Sequence, residues 1–359
     1  MTVAAPAGTV EWVRHVLATH WGDAWGAAGL SPLTVGGAAP LTHTAGLWRV
    51  AGPGGDHVLK VQLNTEAARP ANFPALKARI LAHCSRRGVP VLPVVPAADG
   101  RPAVRHDGIL VEVSPHCPGA RASGGREQAD AIVAAGLALR AALDTVPPEV
   151  TGKLAAVHLP LMVEEERWPA ALQDAERRLL PRAERGADHW HRAAARVLRE
   201  LAASAPLLRS LSRPPSAAAG RPSVVHGDLH VHHFLLSGRG AARVLAVLDF
   251  DNLQVADRLL DLAWTADTAV LACGADTGAA RDVLARFLRT GRSRGLLKPG
   301  DEVLLMPLLM AHSLPVIVDI AKDILDRGVL TPQWLAYFEL LSPARRLAVH
   351  RLLSAAAAG

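Results

Sequence analysis

The 359 residues are enough for two lobes, each with a core of its own. Half of them are apolar and a fifth are charged, the balance of a soluble globular protein. The formal net charge of +6 suits an anionic ligand. It does not make a nucleic-acid surface, because the arginines are scattered among Ala and Leu on predicted helices and no basic run is interleaved with aromatics.

Cys84, Cys117 and Cys273 are odd in number, far apart and without CxxC spacing. Neither a disulfide framework nor a thiolate metal site is indicated, and a reducing cytoplasm is the expected setting. The N-terminus lacks the basic, apolar and small-residue order of a signal peptide. No uninterrupted apolar run reaches the roughly 18 residues of a membrane helix, so no membrane is expected.

Along the chain, Glu11–Trp21 has the spacing of an amphipathic helix, with Trp12, Val13, Val16 and Leu17 on one face. Leu33–Gly37, Gly46–Ala51 and His57–Leu63 are short, β-leaning and separated by glycines. Ala75–Arg87 is predicted helical and ends at Gly88. Val89–Val95 and Gly108–Val113 are predicted strands, with a turn at Asp99–Gly100. Residues 1–112 thus form a small, mostly β lobe, and residues 113–359 a larger, mainly helical one, an α+β arrangement. In the second lobe Glu127–Thr145, Met162–Leu180 and Asp188–Leu211 are the long helices. A Pro/Ala/Gly stretch at Pro214–Pro222 breaks them. A compact β region, Ser223–Asp249, turns at Gly238–Gly240, and the chain is helical again from Arg258.

The chemistry gathers in that β region. Ser223–Leu236 reads SVVHGDLHVHHFLL: an apolar strand, then His226-Gly-Asp228, then His230, His232 and His233. Four histidines and an aspartate in so short a span leave a metal site open, although the Glu and the helical pattern of a zinc protease are both missing. A second apolar strand ends in Asp249-Phe250-Asp251. A carboxylate placed just after a buried strand is costly unless it meets a cation or a donor. Two strands that each end in an aspartate, joined by a hairpin, would set a base beside a hard, oxygen-ligated cation. Asp249 is not expected to be a helix cap alone, since the next helical pattern starts near Asp257.

HGDLHxxxFLL followed by LDFD resembles the aminoglycoside phosphotransferase and choline kinase family, which shares the fold of protein kinases. The resemblance extends to VLKV (Val58–Val61), LVEV (Leu110–Val113) and ADRLLDLAW (Ala256–Trp264), in the right order over most of the chain. It implies a bilobal kinase-like fold and transfer of the γ-phosphate of ATP, held with Mg²⁺ or Mn²⁺, to a hydroxyl. The acceptor is a small molecule (an antibiotic, an amino alcohol or a homoserine-like compound) or a peptide Ser or Thr. By the same resemblance Asp228 is the catalytic aspartate and Asp249 the metal ligand. Lys60 contacts the α- and β-phosphates, Glu112 and Val113 form the adenine-binding hinge through their backbone, and His226 and Asp261 support the loop. Gly36-Gly37 opens the phosphate loop, where the hydroxyls of Thr42 and Thr44 are further candidates.

Three departures stand out. The family's second metal ligand, an Asn five residues after the catalytic Asp, is replaced by His233, and imidazole is a poor ligand for Mg²⁺. The helix expected to carry the Glu that pairs with Lys60 contains none; Lys77 stands there instead, and Glu66 is the nearest alternative. The segment Ala38–Gly46 has no repeated glycine pattern. These departures leave open a second reading, a protein that binds a nucleotide or peptide without turnover.

Overall fold

A computed structural model of the protein describes residues 8–35, 37–42, 45–63, 70–157, 167–212, 222–238 and 242–358. Contacts gather the chain into two compact units. One comprises Met1–Ser123, Ala141–Leu161 and Val231–Val255; the other comprises Gly124–Arg140, Met162–His230 and Ala256–Gly359.

The first unit begins with helix α1 (Val10–Trp21), capped by Thr9, whose hydroxyl accepts the N–H of Trp12. A short helix, α2 (Asp23–Gly26), follows. Strands β1 (Gly29–Pro32), β2 (Ala45–Gly52) and β3 (Gly55–Gln62) come next, then helix α3 (Phe73–Arg86), then β4 (Val104–His106) and β5 (Ile109–Pro115). The five strands form one antiparallel sheet in the order β1-β2-β3-β5-β4. Alternation along β3 sends Leu59 and Val61 into a core with Trp12, Val16, Val50, Val111 and Val113. Lys60 therefore lies on the opposite face, and the register sets it directly across from Glu112 on β5.

The helices that follow are α4 (Arg126–Leu143), α5 (Pro148–Ala155), α6 (Trp168–Asp174), α7 (Leu180–Arg185) and α8 (His189–Arg209). A π-helical turn, Ala175–Leu179, joins α6 to α7. Then come the short strands β6 (Pro222–Val225), β7 (Phe234–Leu236), β8 (Val244–Val247) and β9 (Gln254–Asp257). The chain ends in α9 (Leu259–Cys273), α10 (Thr277–Ser293), α11 (Glu302–Lys322), α12 (Pro332–Leu340) and α13 (Pro343–Ala358). In the second unit α9 packs against α10, α11 and α13. Gly136 of α4 permits a close approach to α9, because a Cβ there would lie 2.3 Å from Thr265 Oγ1.

Several expectations need correction. The first strand is Gly29–Pro32 and not Leu33–Gly37, where Val35 and Ala38 form a single bridge. Val89–Val95 is irregular, because Pro90 and Pro93 have no N–H for a ladder; the fourth strand is instead Val104–His106. The hairpin leading to Asp249 pairs β7 with β8, so β6 is not its partner strand. The expected start of the helix at Met162, most of Pro214–Pro222 and the turn beyond Gly238 lie outside the described residues. The segment Glu302–Arg327 is long and apolar enough by length and composition to cross a membrane, which the run-length reading missed. In this fold 67% of its most apolar window is buried inside the protein, as in a core helix.

Candidate active site

In the first unit, the Lys60 face of the sheet lines a pocket. Leu33, Leu47, Val58, Leu81 and Leu235 supply apolar wall. Lys60, Lys77, Glu112, Asp249 and Asp251 gather at the charged part, and Thr42 and His233 also reach the pocket. Of the phosphate-loop candidates, Gly36 and Thr44 lie outside the described residues, as does Glu66. Gly37 takes a φ of 81° but is not part of the lining. Thr42 Oγ1 accepts the N–H of Ala45 at 3.3 Å.

Asp249 is placed by the β7–β8 hairpin. The N–H of Leu248 donates to the carbonyl of His233 at 2.8 Å, which ties the end of β8 to the turn Val231–His233. Asp249 itself adopts φ 59° and ψ 67°, a left-handed conformation that aspartate tolerates better than most residues. A 3₁₀ turn, Phe250–Asn252, begins directly after it, earlier than the helical pattern suggested. The Asp249 side chain makes no capping bond to that turn. Its Oδ1 accepts from Lys60 Nζ at 2.9 Å, and its Oδ2 lies 3.6 Å from His233 Nε2.

Lys60 Nζ also lies 2.7 Å from Asp251 Oδ2. Burial opposes the charge on this ammonium, but the carboxylates of Asp249 and Asp251 outweigh it and raise its pKa above the ordinary lysine range. Burial likewise opposes the charge on Asp249, and Lys60 reverses the balance, holding its carboxyl well below the usual range. The side chain of Glu112 takes Lys77 Nζ on Oε2 at 2.5 Å, while the carbonyl of Val113 accepts the N–H of Val95 at 2.8 Å.

The second unit builds the loop around Asp228. Asp261 is fully buried at the start of α9 and accepts the N–H groups of His226 at 2.9 Å and Gly227 at 3.1 Å. Arg140 NH1, also fully buried, donates to Asp261 Oδ2 at 3.1 Å, and Arg140 NH2 donates to the carbonyl of Val224 at 2.7 Å. The Gly227 carbonyl accepts from Trp264 Nε1 at 3.3 Å and from His312 Nε2 at 2.9 Å. Burial lowers the pKa of His312, although the charge of Asp228 opposes that shift. The N–H of Asp228 donates to His226 Nδ1 at 3.3 Å. The Asp228 carboxylate is 30% exposed, with His230 Nε2 at 3.8 Å. A loop held from four sides thus presents one accessible carboxylate.

The family profile described as the phosphotransferase enzyme family matches residues 47–297. The chain belongs to this family. It is therefore a phosphotransferase, and its fold is that of the kinase-like enzymes it resembles. A spectinomycin phosphotransferase crystallised with ADP and spectinomycin superposes with a TM-score of 0.60 at 11% identity, over 96% of this chain and 97% of that one. A microcompartment-associated aminopropanol kinase gives a TM-score of 0.63 at 18% identity, over 96% and 98%. An amicoumacin kinase in complex with AMP-PNP, Ca²⁺ and Ami gives 0.55 at 14% identity, over 90% and 88%. No curated protein sequence matches the chain.

Sequence reasoning missed Arg140 and His312, and it saw Lys77 only as a misplaced cation. Arg140 carried a faint signal, a lone arginine among apolar residues of a helix. His312 carried none.

Proposed function

We propose that this phosphotransferase moves the γ-phosphate of ATP to a hydroxyl of a small molecule (an antibiotic, an amino alcohol or a homoserine-like compound) or of a peptide Ser or Thr. The observation that carries this reading is the meeting of Lys60 and Asp249, 189 residues apart, at 2.9 Å in one pocket. The residues fit a nucleotide with a divalent cation. The wall formed by Val58, Leu47 and Leu235 suits a flat base, Lys60 suits phosphate oxygens, and Asp249 is an ionised, hard oxygen donor of the kind Mg²⁺ or Mn²⁺ prefers. Bound with its cation, ATP supplies a phosphoryl group whose charge is partly neutralised. Asp249 is the metal ligand, with His233 beside it. Lys60 holds the phosphates, the Thr42 hydroxyl is a further donor, and the backbone of β5 at Glu112 and Val113 faces the base. Asp228 accepts the hydrogen bond of the acceptor hydroxyl and orients it. His226 and Asp261 keep Asp228 in place.

The test is ADP release over a panel of hydroxyl acceptors with Mg²⁺ or Mn²⁺, comparing the wild type with Lys60→Met. Loss of the ammonium is expected to lower kcat/KM for ATP by about 10²–10³-fold, the effect of removing one charge-stabilising donor. Equal rates would remove Lys60 from the site.

A second reading, nucleotide binding without turnover, draws on His233, which stands 3.6 Å from Asp249 where an oxygen ligand is expected. Under the enzymatic reading, His233→Asn raises the Mg²⁺-supported rate relative to the Mn²⁺-supported rate, because an amide oxygen replaces a nitrogen. A wild type that binds ADP tightly but phosphorylates nothing, paired with an active His233→Asn variant, would favour the second reading.

A further inference from the structure

The strand lysine of this family's pattern calls for a carboxylate on the inner helix, and α3 has a lysine there. The structure shows what takes its place. Asp249, Lys60, Asp251, Lys77 and Glu112 form a chain of alternating charge. Lys60 Nζ bridges Asp249 Oδ1 at 2.9 Å and Asp251 Oδ2 at 2.7 Å. Lys77 Nζ bridges Asp251 Oδ1 at 2.7 Å and Glu112 Oε2 at 2.5 Å. Asp251 thus carries an ammonium on each oxygen. Side-chain exposure falls from 36% at Asp249 through 23% at Lys60 and 17% at Asp251 to 6% at Lys77, and Glu112 beyond it is 12% exposed.

A second cation on the inner helix repels Lys60, but Asp251 stands between the two ammoniums and accepts from both. Burial works against the Lys77 charge, yet Asp251 and Glu112 keep its pKa raised, so it stays an ammonium and fixes Asp251 from behind. Glu112 sits opposite Lys60 in the β3–β5 register, so the relay closes on the same sheet that carries Lys60. Three carboxylates alternate with two ammoniums, so a carboxylate stands at each end, Asp249 at the exposed one and Glu112 at the buried one.

We propose that Asp251, anchored by Lys77 and Glu112, is the positioning residue for Lys60, in place of the missing helix carboxylate. Resting on the nucleotide-binding reading above, the relay has a definite consequence. When Asp249 turns from Lys60 to a cation, Lys60 keeps one carboxylate partner and stays aimed into the pocket. Asp251, with both oxygens engaged by lysines, is the positioning acid, and Asp249 is the metal ligand.

The experiment measures ATP KM, kcat and the affinity for a fluorescent ADP analogue. The variants are Asp251→Asn, Lys77→Met, Lys77→Arg, Glu112→Gln, Lys60→Met and the double variant Lys60→Met/Asp251→Asn. Asp251→Asn and Lys77→Met are expected to raise KM for ATP and lower kcat/KM by about tenfold or more, as misplacing a positioned group does. Lys77→Arg restores most of the loss, and Glu112→Gln shows a weaker effect in the same direction. In the Lys60→Met background, Asp251→Asn has no further effect, because its role is exercised through Lys60. Effects of Asp251→Asn that simply add to those of Lys60→Met would overturn the proposal, as would wild-type parameters in both Asp251→Asn and Glu112→Gln. Absence of ADP-analogue binding to the wild type would overturn the functional reading itself; intact binding that Asp251→Asn leaves unchanged overturns only the relay.

Discussion

Exchange of Asp228 for asparagine is expected to slow phosphoryl transfer by about 10²–10⁴-fold, the range for loss of a positioned general base. Nucleotide affinity and melting temperature should stay close to those of the wild type. The reason lies in the loop. Its shape is held by the backbone of His226 and Gly227 on Asp261, and by Trp264 and His312 on the Gly227 carbonyl. None of these contacts uses the Asp228 carboxylate. That carboxylate is 30% exposed, and asparagine keeps its shape while losing its ability to accept a proton. Steady-state rates and a thermal melt on the same preparation check both halves. A comparable rate would remove Asp228 from the chemistry, and a collapsed melt would make it a structural residue.

The second large effect is on stability. Asp261→Ala leaves Arg140 buried without its carboxylate and the N–H groups of His226 and Gly227 without their acceptor. Breaking one side of a fully buried ion pair costs about 3–5 kcal/mol. In a chain of this size that corresponds to a fall in Tm of about 4–7 °C. Activity should fall with it, since the loop loses its anchor. Arg140→Met, which removes the charge and fills part of the space, should cost less than Asp261→Ala, because Asp261 keeps its two N–H donors. Calorimetry of the two variants gives this order directly, and the reverse order would contradict the assigned roles.

Much of this was legible in the sequence because the periodic elements stand on local pattern. Glu11–Trp21, Gly46–Ala51, His57–Leu63 and Ala75–Arg87 each fall within a few residues of α1, β2, β3 and α3. The failures have physical causes. Val89–Val95 has strand-like side chains, but its prolines leave no N–H for a ladder. Asp249 looked remote from any helix because a 3₁₀ turn of three residues has too short a period to show in a pattern. The phosphotransferase motifs announced Asp228, Asp249 and Lys60 as types at fixed places. The partner of Lys60 was illegible, because Asp251 comes from 191 positions further along the chain, and only the fold brings it within 2.7 Å. Lys77 looked like a defect in the helix pattern for the same reason. Its compensating acid, Glu112, lies on a different element altogether.

Transfer of a phosphoryl group to a hydroxyl can be followed by phosphorus NMR of the wild-type protein with ATP, Mg²⁺ or Mn²⁺ and a mixture of small-molecule and peptide hydroxyl acceptors. The γ-phosphate resonance is expected to be replaced by that of a phosphate monoester on one acceptor class, with stoichiometric ADP. Bound nucleotide with its γ-phosphate intact in every mixture, or conversion to free phosphate alone, would contradict it.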